Sequence, residues 1–323
     1  MIDETDTPED NALRPADFDE FIGQGRVRTQ LQVMLQSAMM DERVPSHVLF
    51  SGGPGLGKTT LALIMSRALG TDLKLTSGPA IANQGNLASI LMGLNEGDVL
   101  FIDEIHRMAR AAEEMLLLAM EDYRIDIVTG KGSTGEALSI DLPKFTLAAA
   151  TTRAGMLSDP LRARFGFTGH MEYYSTDEIV KILARSAGKL GLDAEPQALE
   201  ALATCCRGTP RVANALLGNV RDYARVYDLP IDETLVNKAL KLYEIDSKGL
   251  GRIDRAMLTT LLTTFSGGPV GIKTLAMSVS EESETIETTV EPYLVRLGML
   301  ARTPRGRIAL PAAYEHMGIK RTA

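Results

Sequence analysis

The chain of 323 residues has no tryptophan, two cysteines and 5% aromatic residues. The cysteines, Cys205 and Cys206, are adjacent, and sequence neighbours rarely close an unstrained disulfide. A disulfide framework is thereby excluded, and the pair reads as small helix-packing residues in a reducing, cytoplasmic setting. Histidine is also scarce. His47, His106, His170 and His316 are scattered without metal-ligand spacing, which argues against a zinc site. No apolar run approaches the ~18 residues of a membrane-spanning helix. Met1 to Asp10 is acidic and lacks the basic start and apolar stretch of a secretion signal. Residues 1–12 are expected to form a disordered tail.

What remains is an ordinary globular composition, 45% apolar and 24% charged, long enough for two or three domains. The formal net charge is −8, which argues against a passive nucleic-acid coat. The charge is segregated, however. Residues 248–323 hold ten Lys/Arg and seven Asp/Glu, a surplus of +3, leaving −11 on the rest.

Between Phe18 and Glu172, short apolar runs alternate with helical periods. Ser46 to Ser51, Asp98 to Asp103 and Phe145 to Thr151 read as buried strands, and Thr59 to Leu69 as a helix. Such alternation predicts an α/β domain with a parallel sheet covered on both faces. Residues 123–142 depart from it. Ile125 and Ile127, then Leu138, Ile140 and Leu142, alternate with polar residues around a turn-rich Thr129 to Gly135, predicting an inserted β-hairpin. Residues 175–247 carry only helical periods and predict a small helical domain. Residues 248–323 predict three helices (253–265, 272–278 and 281–297) and two short strands around Pro304-Arg305-Gly306, the winged-helix plan.

Gly52-Gly53-Pro54-Gly55-Leu56-Gly57-Lys58-Thr59 satisfies G-x-x-x-x-G-K-S/T between a strand and a helix, the setting this motif requires. Gly52, Gly55 and Gly57 let the backbone wrap phosphates and donate N–H groups to them. Lys58 is expected to meet the β- and γ-phosphates of ATP or ADP, and Thr59 to ligate Mg²⁺. Asp103 and Glu104 end an apolar strand at the carboxyl edge of the sheet, where ligands bind. Asp103 is expected to hold Mg²⁺ through water and Glu104 to polarise the attacking water. Thr152 ends the next strand. It is either a phosphate-sensing hydroxyl or an N-cap. Arg211, after Thr209-Pro210, opens a helix, where a cation is disfavoured unless an anion lies near. Arg164 follows a further helix start at Ser158-Asp159-Pro160. Each arginine is either functional or simply surface charge.

These residues, with Arg14-Pro15 and Phe18 to Gln24, resemble the AAA+ ATPases. Asp103 to Arg107, Ala150 to Gly155, Leu161 to Gly166, Gly208 to Arg211, Phe265 to Gly271 and Arg302 to Arg307 resemble in particular the RuvB family of Holliday-junction branch-migration motors, over roughly residues 13–318. The resemblance implies a homohexameric ring that drives branch migration of double-stranded DNA junctions, with RuvA as partner and RuvC in a larger assembly. It implies that Arg164 is an arginine finger reaching the neighbouring subunit, Thr152 the sensor-1 residue and Arg211 the sensor-2 arginine. It places Leu13, Arg14, Thr60, Glu121, Asp122, Tyr123 and Tyr174 with Lys58 and Arg211 around the nucleotide, and makes the 123–142 hairpin the RuvA-docking element. Gly53 stands where the family usually has proline, and Ala148-Ala149 where it usually has Ile-Gly.

Other classes stay in view. Asp103 to His106 is similar to the Asp-Glu-x-His box of two-lobed helicases, but a second lobe has no room here. A clamp-loader-like ATPase would carry a helical collar instead of a basic wing. A nucleotide-gated DNA-binding switch would not need both Glu104 and Arg164. In the hairpin, Leu138 and Ile140 share one strand face and read as a docking surface, with packing against the parent domain as the alternative. In the winged helix, the third helix has five carboxylates against Arg296, whereas the wing has Arg302, Arg305 and Arg307 with no acid. The expectation is that the wing grips phosphates without reading bases. The resemblance points to Arg302 and Arg307 as the contacts.

Overall fold

Three apolar strands form the centre of the protein's main sheet. The computed structural model describes residues 8–129 and 136–320. β1 (Val48–Ser51), β3 (Val99–Asp103) and β6 (Thr146–Thr151) are almost wholly buried, as the sequence predicts. Two further strands, β2 (Leu73–Ser77) and β7 (Phe167–His170), were not legible as strands. They are the edges of a parallel sheet of order β2-β3-β6-β1-β7. The register aligns Ser51 with Thr151 and with His170, and Ile102 with Ala149. The carboxyl ends of β1, β3 and β6 thus reach one edge together.

The first helices are α1 (Pro8–Leu13), α2 (Gly25–Met40), α3 (Lys58–Leu69), α4 (Gln84–Met92), α5 (Arg110–Asp122), α6 (Asp159–Ala163) and α7 (Thr176–Lys189). α1 corrects the expected tail, since residues 8–12 are helical. Pro8 suits a first helical position, and Glu9 and Asp10 complement the helix dipole. α5 ends at Tyr123, whose left-handed backbone (φ 51°) turns the chain into the hairpin. The hairpin is β4 (Arg124–Thr129) and β5 (Glu136–Asp141), with Ile125 opposite Ile140 and Ile127 opposite Leu138. The expected turn at Gly130 to Gly135 lies outside the described residues.

The remaining elements are α8 (Pro196–Thr204), α9 (Pro210–Tyr227), α10 (Glu233–Leu242), α11 (Arg252–Thr263), α12 (Ile272–Ser278), α13 (Ser283–Thr285), a π-helical turn (Ile286–Val290), α14 (Glu291–Arg296), β8 (Leu300–Thr303), β9 (Gly306–Ala309) and α15 (Pro311–Met317). The expected third helix of the winged domain is therefore a composite of α13, the π turn and α14. The final helix, α15, was not anticipated.

Two compact units result. One holds residues 1–191 and 208–214; the other holds 192–207 and 215–323. α7 thus belongs with the ATPase-like body, and α8 and α10 with the winged helix. Hydrogen bonds account for the cut. In the first unit, the Ser186 hydroxyl donates to Asn214 Oδ1 at 2.8 Å and Tyr174 N–H to the Gly208 carbonyl at 2.9 Å. In the second, Arg207 pairs with buried Asp254 at 2.6 Å and donates to the Gly249 carbonyl at 2.9 Å. Cys205 and Cys206 are buried there without a disulfide, and burial raises both thiol pKa values.

The first unit's core meets the hairpin root at Phe145. Its fully buried ring makes an edge contact with Tyr123 (5.8 Å) and a tilted contact with His47 (5.7 Å). His47 accepts from Leu147 N–H at 2.9 Å and donates from Nε2 to the Met120 carbonyl at 3.0 Å, tying β1 to β6 and α5. Phe145→Ala is expected to destabilise this unit by about 3–5 kcal/mol. Urea denaturation followed by circular dichroism checks it; a loss below about 1 kcal/mol would contradict the placement.

Candidate functional site

β1 delivers the chain to the Gly52–Gly57 loop, and α3 begins at Lys58. The loop needs its glycines. Gly57 has φ 99°, and Gly55 has φ 73° with Arg211 so near that an added Cβ would lie 2.9 Å from the arginine's own Cβ. Lys58 is buried, and its ammonium donates to the carbonyls of Gly52 (3.0 Å) and Gly53 (2.8 Å). Burial pushes its pKa down, the Asp103 and Glu104 carboxylates push it back up, and Arg211 adds to the lowering. A Cβ at Gly53 would come to 2.9 Å of the Tyr173 hydroxyl, the far end of a side chain able to swing away.

One cavity in the first unit gathers most of the predicted nucleotide residues. Gly55, Gly57, Lys58, Thr59 and Thr60 line it, with Asp103, Glu104 and Arg211. Leu13, Arg14 and Tyr174 line it too, with residues that the sequence does not single out, among them Ile182, Arg185 and Pro210. The Tyr174 hydroxyl donates to the Leu56 carbonyl at 3.0 Å, and burial raises its pKa. The charged lining suits phosphates and the apolar lining a flat base.

Glu104 has a left-handed backbone (φ 45°), and its N–H donates to Asp103 Oδ1 at 2.9 Å. Its carboxylate accepts from the Thr152 hydroxyl at 2.9 Å and lies 3.0 Å from Nδ1 of buried His106. The same Nδ1 lies 2.9 Å from Thr151 Oγ1. Burial, the largest influence, holds the His106 pKa below its usual value. The sequence carries His106 within the Asp103 to Arg107 segment without showing what it contacts. Its geometric partnership with Glu104 was not foreseen.

Arg164 does not line this cavity. It is the C-cap of α6 and pairs with Glu121 at 2.5 Å, both side chains close to half exposed. Glu121 and Asp122 end α5, and Tyr123 packs on the core; these three also stand apart from the cavity. In the hairpin, Leu138 and Ile140 divide. Leu138 is 53% exposed, whereas Ile140 packs partly against the first unit's core. The shared face thus runs from the core outwards, with Ile140 partly buried and Leu138 exposed.

The wing also differs from its expectation. Glu291, fully buried in α14, accepts from Arg307 at 2.8 and 3.1 Å and pairs with Arg302 at 2.8 Å. Arg307 is 16% exposed and also lies 3.7 Å from Glu287; its pKa is raised, mostly by the bond to Glu291. The acidic helix and the basic wing are therefore tied together. Arg305 is exposed, with no ion pair among the described residues.

A parallel sheet of this order, a phosphate-type loop leading into a helix, an Asp-Glu pair on the neighbouring strand end and an arginine opening α9 define a AAA+ P-loop ATPase. Family models then specify the kind. The Holliday junction DNA helicase RuvB P-loop domain matches residues 13–171, the RuvB AAA lid domain 174–246 and the RuvB C-terminal winged helix domain 247–318. A RuvB of Clavibacter michiganensis, named a Holliday junction branch migration complex subunit, is 54% identical over 97% of this chain and 88% of its own. One from Thermobifida fusca is 56% identical over 96% and 89%. The solved RuvB branch migration motor of Thermotoga maritima superposes with TM-score 0.88 at 44% identity, covering 96% of this chain and 99% of that one. The chain belongs to the RuvB family.

The close contact of His106 with Glu104 makes a prediction. His106→Ala is expected to lower the ATP turnover number about tenfold or more, because a misplaced catalytic group is costly in rate. Nucleotide affinity should stay within about twofold. Steady-state ATPase assays with calorimetric ADP binding check both; unchanged turnover would rule out a positioning role.

Proposed function

We propose that the chain is the ATP-driven motor subunit of Holliday-junction branch migration. It would act as a homohexameric ring on double-stranded DNA with RuvA, and with RuvC in a larger assembly, in the cytoplasm. The observation that carries this reading is the single cavity uniting Lys58, Thr59, Asp103, Glu104 and Arg211 in a chain that also holds a winged helix. Lys58 and the loop amides hold the phosphates, and Arg211 supplies a second cation at the first turn of α9. Thr59 and Asp103 are the oxygen donors suited to Mg²⁺, which would neutralise phosphate charge. Glu104 orients the attacking water, and Thr152 and His106 orient Glu104. Arg164 lies outside its own cavity and partly exposed, as a residue offered to a neighbouring subunit's site would be.

The hairpin's exposed Leu138 is the residue best placed to meet RuvA. In the winged domain, Arg302 and Arg305 are the arginines with the exposure to reach DNA phosphates. Arg307 acts by anchoring the wing to Glu291. These contacts carry no base information, as a motor that crosses any sequence requires. Among the described residues no helix is long and apolar enough to cross a membrane.

Glu104→Gln is the test of the chemistry. It should bind ATP within about threefold of the unmodified protein, yet hydrolyse it at least ~10²-fold more slowly, since only water activation is removed. Four-way junction DNA plus RuvA should stimulate the unmodified protein's ATPase and leave the variant inactive. Hydrolysis at the normal rate, or absence of any stimulation, would count against the proposal. Leu138→Glu should weaken RuvA binding at least about tenfold in a pull-down titration and leave basal ATPase intact. Intact RuvA binding would remove the hairpin from the docking surface.

A further inference from the structure

The apolar lining of the nucleotide cavity contains a cation that no phosphate chemistry calls for. Arg185, on α7, lines the cavity beside Ile182. Its Nη1–H donates to the Glu20 carbonyl at 2.7 Å and its Nη2–H to the Leu13 carbonyl at 2.8 Å. One helical turn on, Lys189 donates to the Arg14 carbonyl at 3.1 Å and to the Glu20 carboxylate at 3.0 Å. Four contacts thus bind one α7 face to residues 13–20. That same stretch of chain supplies Leu13, Arg14 and Pro15 to the cavity, with Phe21 and Ile22 following it.

Arg185 is suited to this task as lysine is not. A guanidinium holds its donors in a rigid plane, so it can span two carbonyls that a single ammonium would have to choose between. Its third donor position, Nε, is buried and has no hydrogen-bond partner among the described residues. A buried donor left open is costly, and a ring nitrogen of a purine is an acceptor of the kind that would complete it.

We propose that Arg185 is a positioning residue for the nucleotide base: it holds residues 13–22 as the cover of the base and thereby sets affinity for the base separately from the phosphates. The proposal rests on the reading of this cavity as the ATP site. Lys58 is held by the Gly52 and Gly53 carbonyls, neither of which comes from the stretch that Arg185 binds. Removing Arg185 should therefore loosen the base cover more than the phosphate cradle.

Calorimetric titration of the full chain with ADP and, separately, inorganic pyrophosphate separates the two. Arg185→Met should weaken ADP about tenfold or more and pyrophosphate by no more than about twofold. The KM for ATP should rise by a similar factor, with the turnover number at saturation little changed. Arg185→Lys keeps the charge without the planar fork, and should show a smaller loss confined to ADP. Equal weakening of ADP and pyrophosphate, or unchanged ADP affinity, would overturn the proposal. Should Arg185→Met fail to fold, the Arg185→Lys pair of titrations decides by the same criterion. The underlying reading fails differently: the unmodified protein would not bind ADP, or Lys58→Ala would leave pyrophosphate binding unchanged.

Discussion

A buried ammonium is the constraint around which the first unit is organised. Lys58 is 8% exposed, and burial penalises its charged form. Two loop carbonyls and the fields of Asp103 and Glu104 offset that penalty. The compensating groups come from separate strand ends, so they meet only if the sheet register is right. The alignment of Ser51 with Thr151, and of Ile102 with Ala149, brings them to one edge. A bound polyphosphate would add the negative charge that the buried lysine and the nearby Arg211 favour. The apolar strands are in that sense the foundation of an electrostatic site, and their burial keeps its dielectric low.

Glu104 faces the reverse problem. A carboxylate proposed to orient water must not drift, yet Glu104 follows a strand end with a strained left-handed backbone. Thr152 donates to it from the end of β6 at 2.9 Å, and His106 stands 3.0 Å from it on the turn after β3. A neutral imidazole is the suitable partner here. A charged one would compete with Lys58 for the same acids, and burial disfavours the imidazolium. Placement of the acid thus depends on the same core burial that makes the lysine costly.

What the sequence discloses follows from what each element must bury. β1, β3 and β6 are enclosed on both faces and read as apolar runs; β2 and β7 are edges, less uniformly apolar, and gave no such signal. The loop motif, the acid pair and Arg211 were legible because their chemistry fixes residue type and spacing. Arg185 was not, because it binds main-chain carbonyls, which any sequence at 13–20 would present. The place of α7 was hidden for the same reason: its bonds to residues 13–20 and to Asn214 join stretches far apart in the chain. Helical periodicity marked α7 as a helix and could not say which body it would join. Ile140 was assigned to a free face because strand alternation gives a side chain's direction without saying how far the core extends along the hairpin.

The wing shows how a charge count misleads when contacts are unseen. Three arginines within six residues suggest a strongly basic loop. Folding instead places one carboxylate, fully buried, between two of them, Arg302 and Arg307, with Glu287 also 3.7 Å from Arg307. Burying Glu291 is tolerable only because both guanidiniums answer it, and removing either would leave a poorly compensated buried charge. The π turn at 286–290 directly precedes Glu291, and Pro292 follows it, so the helix is irregular where this residue leaves it. The pairing draws β8 and β9 against α14 and fixes the wing's orientation at the expense of part of its positive field. On the proposed reading of the wing as the DNA contact, a motor must release each stretch of duplex to advance, and a wing held by Glu291 with moderate charge suits that better than a strongly basic one, because tight phosphate binding would slow every step.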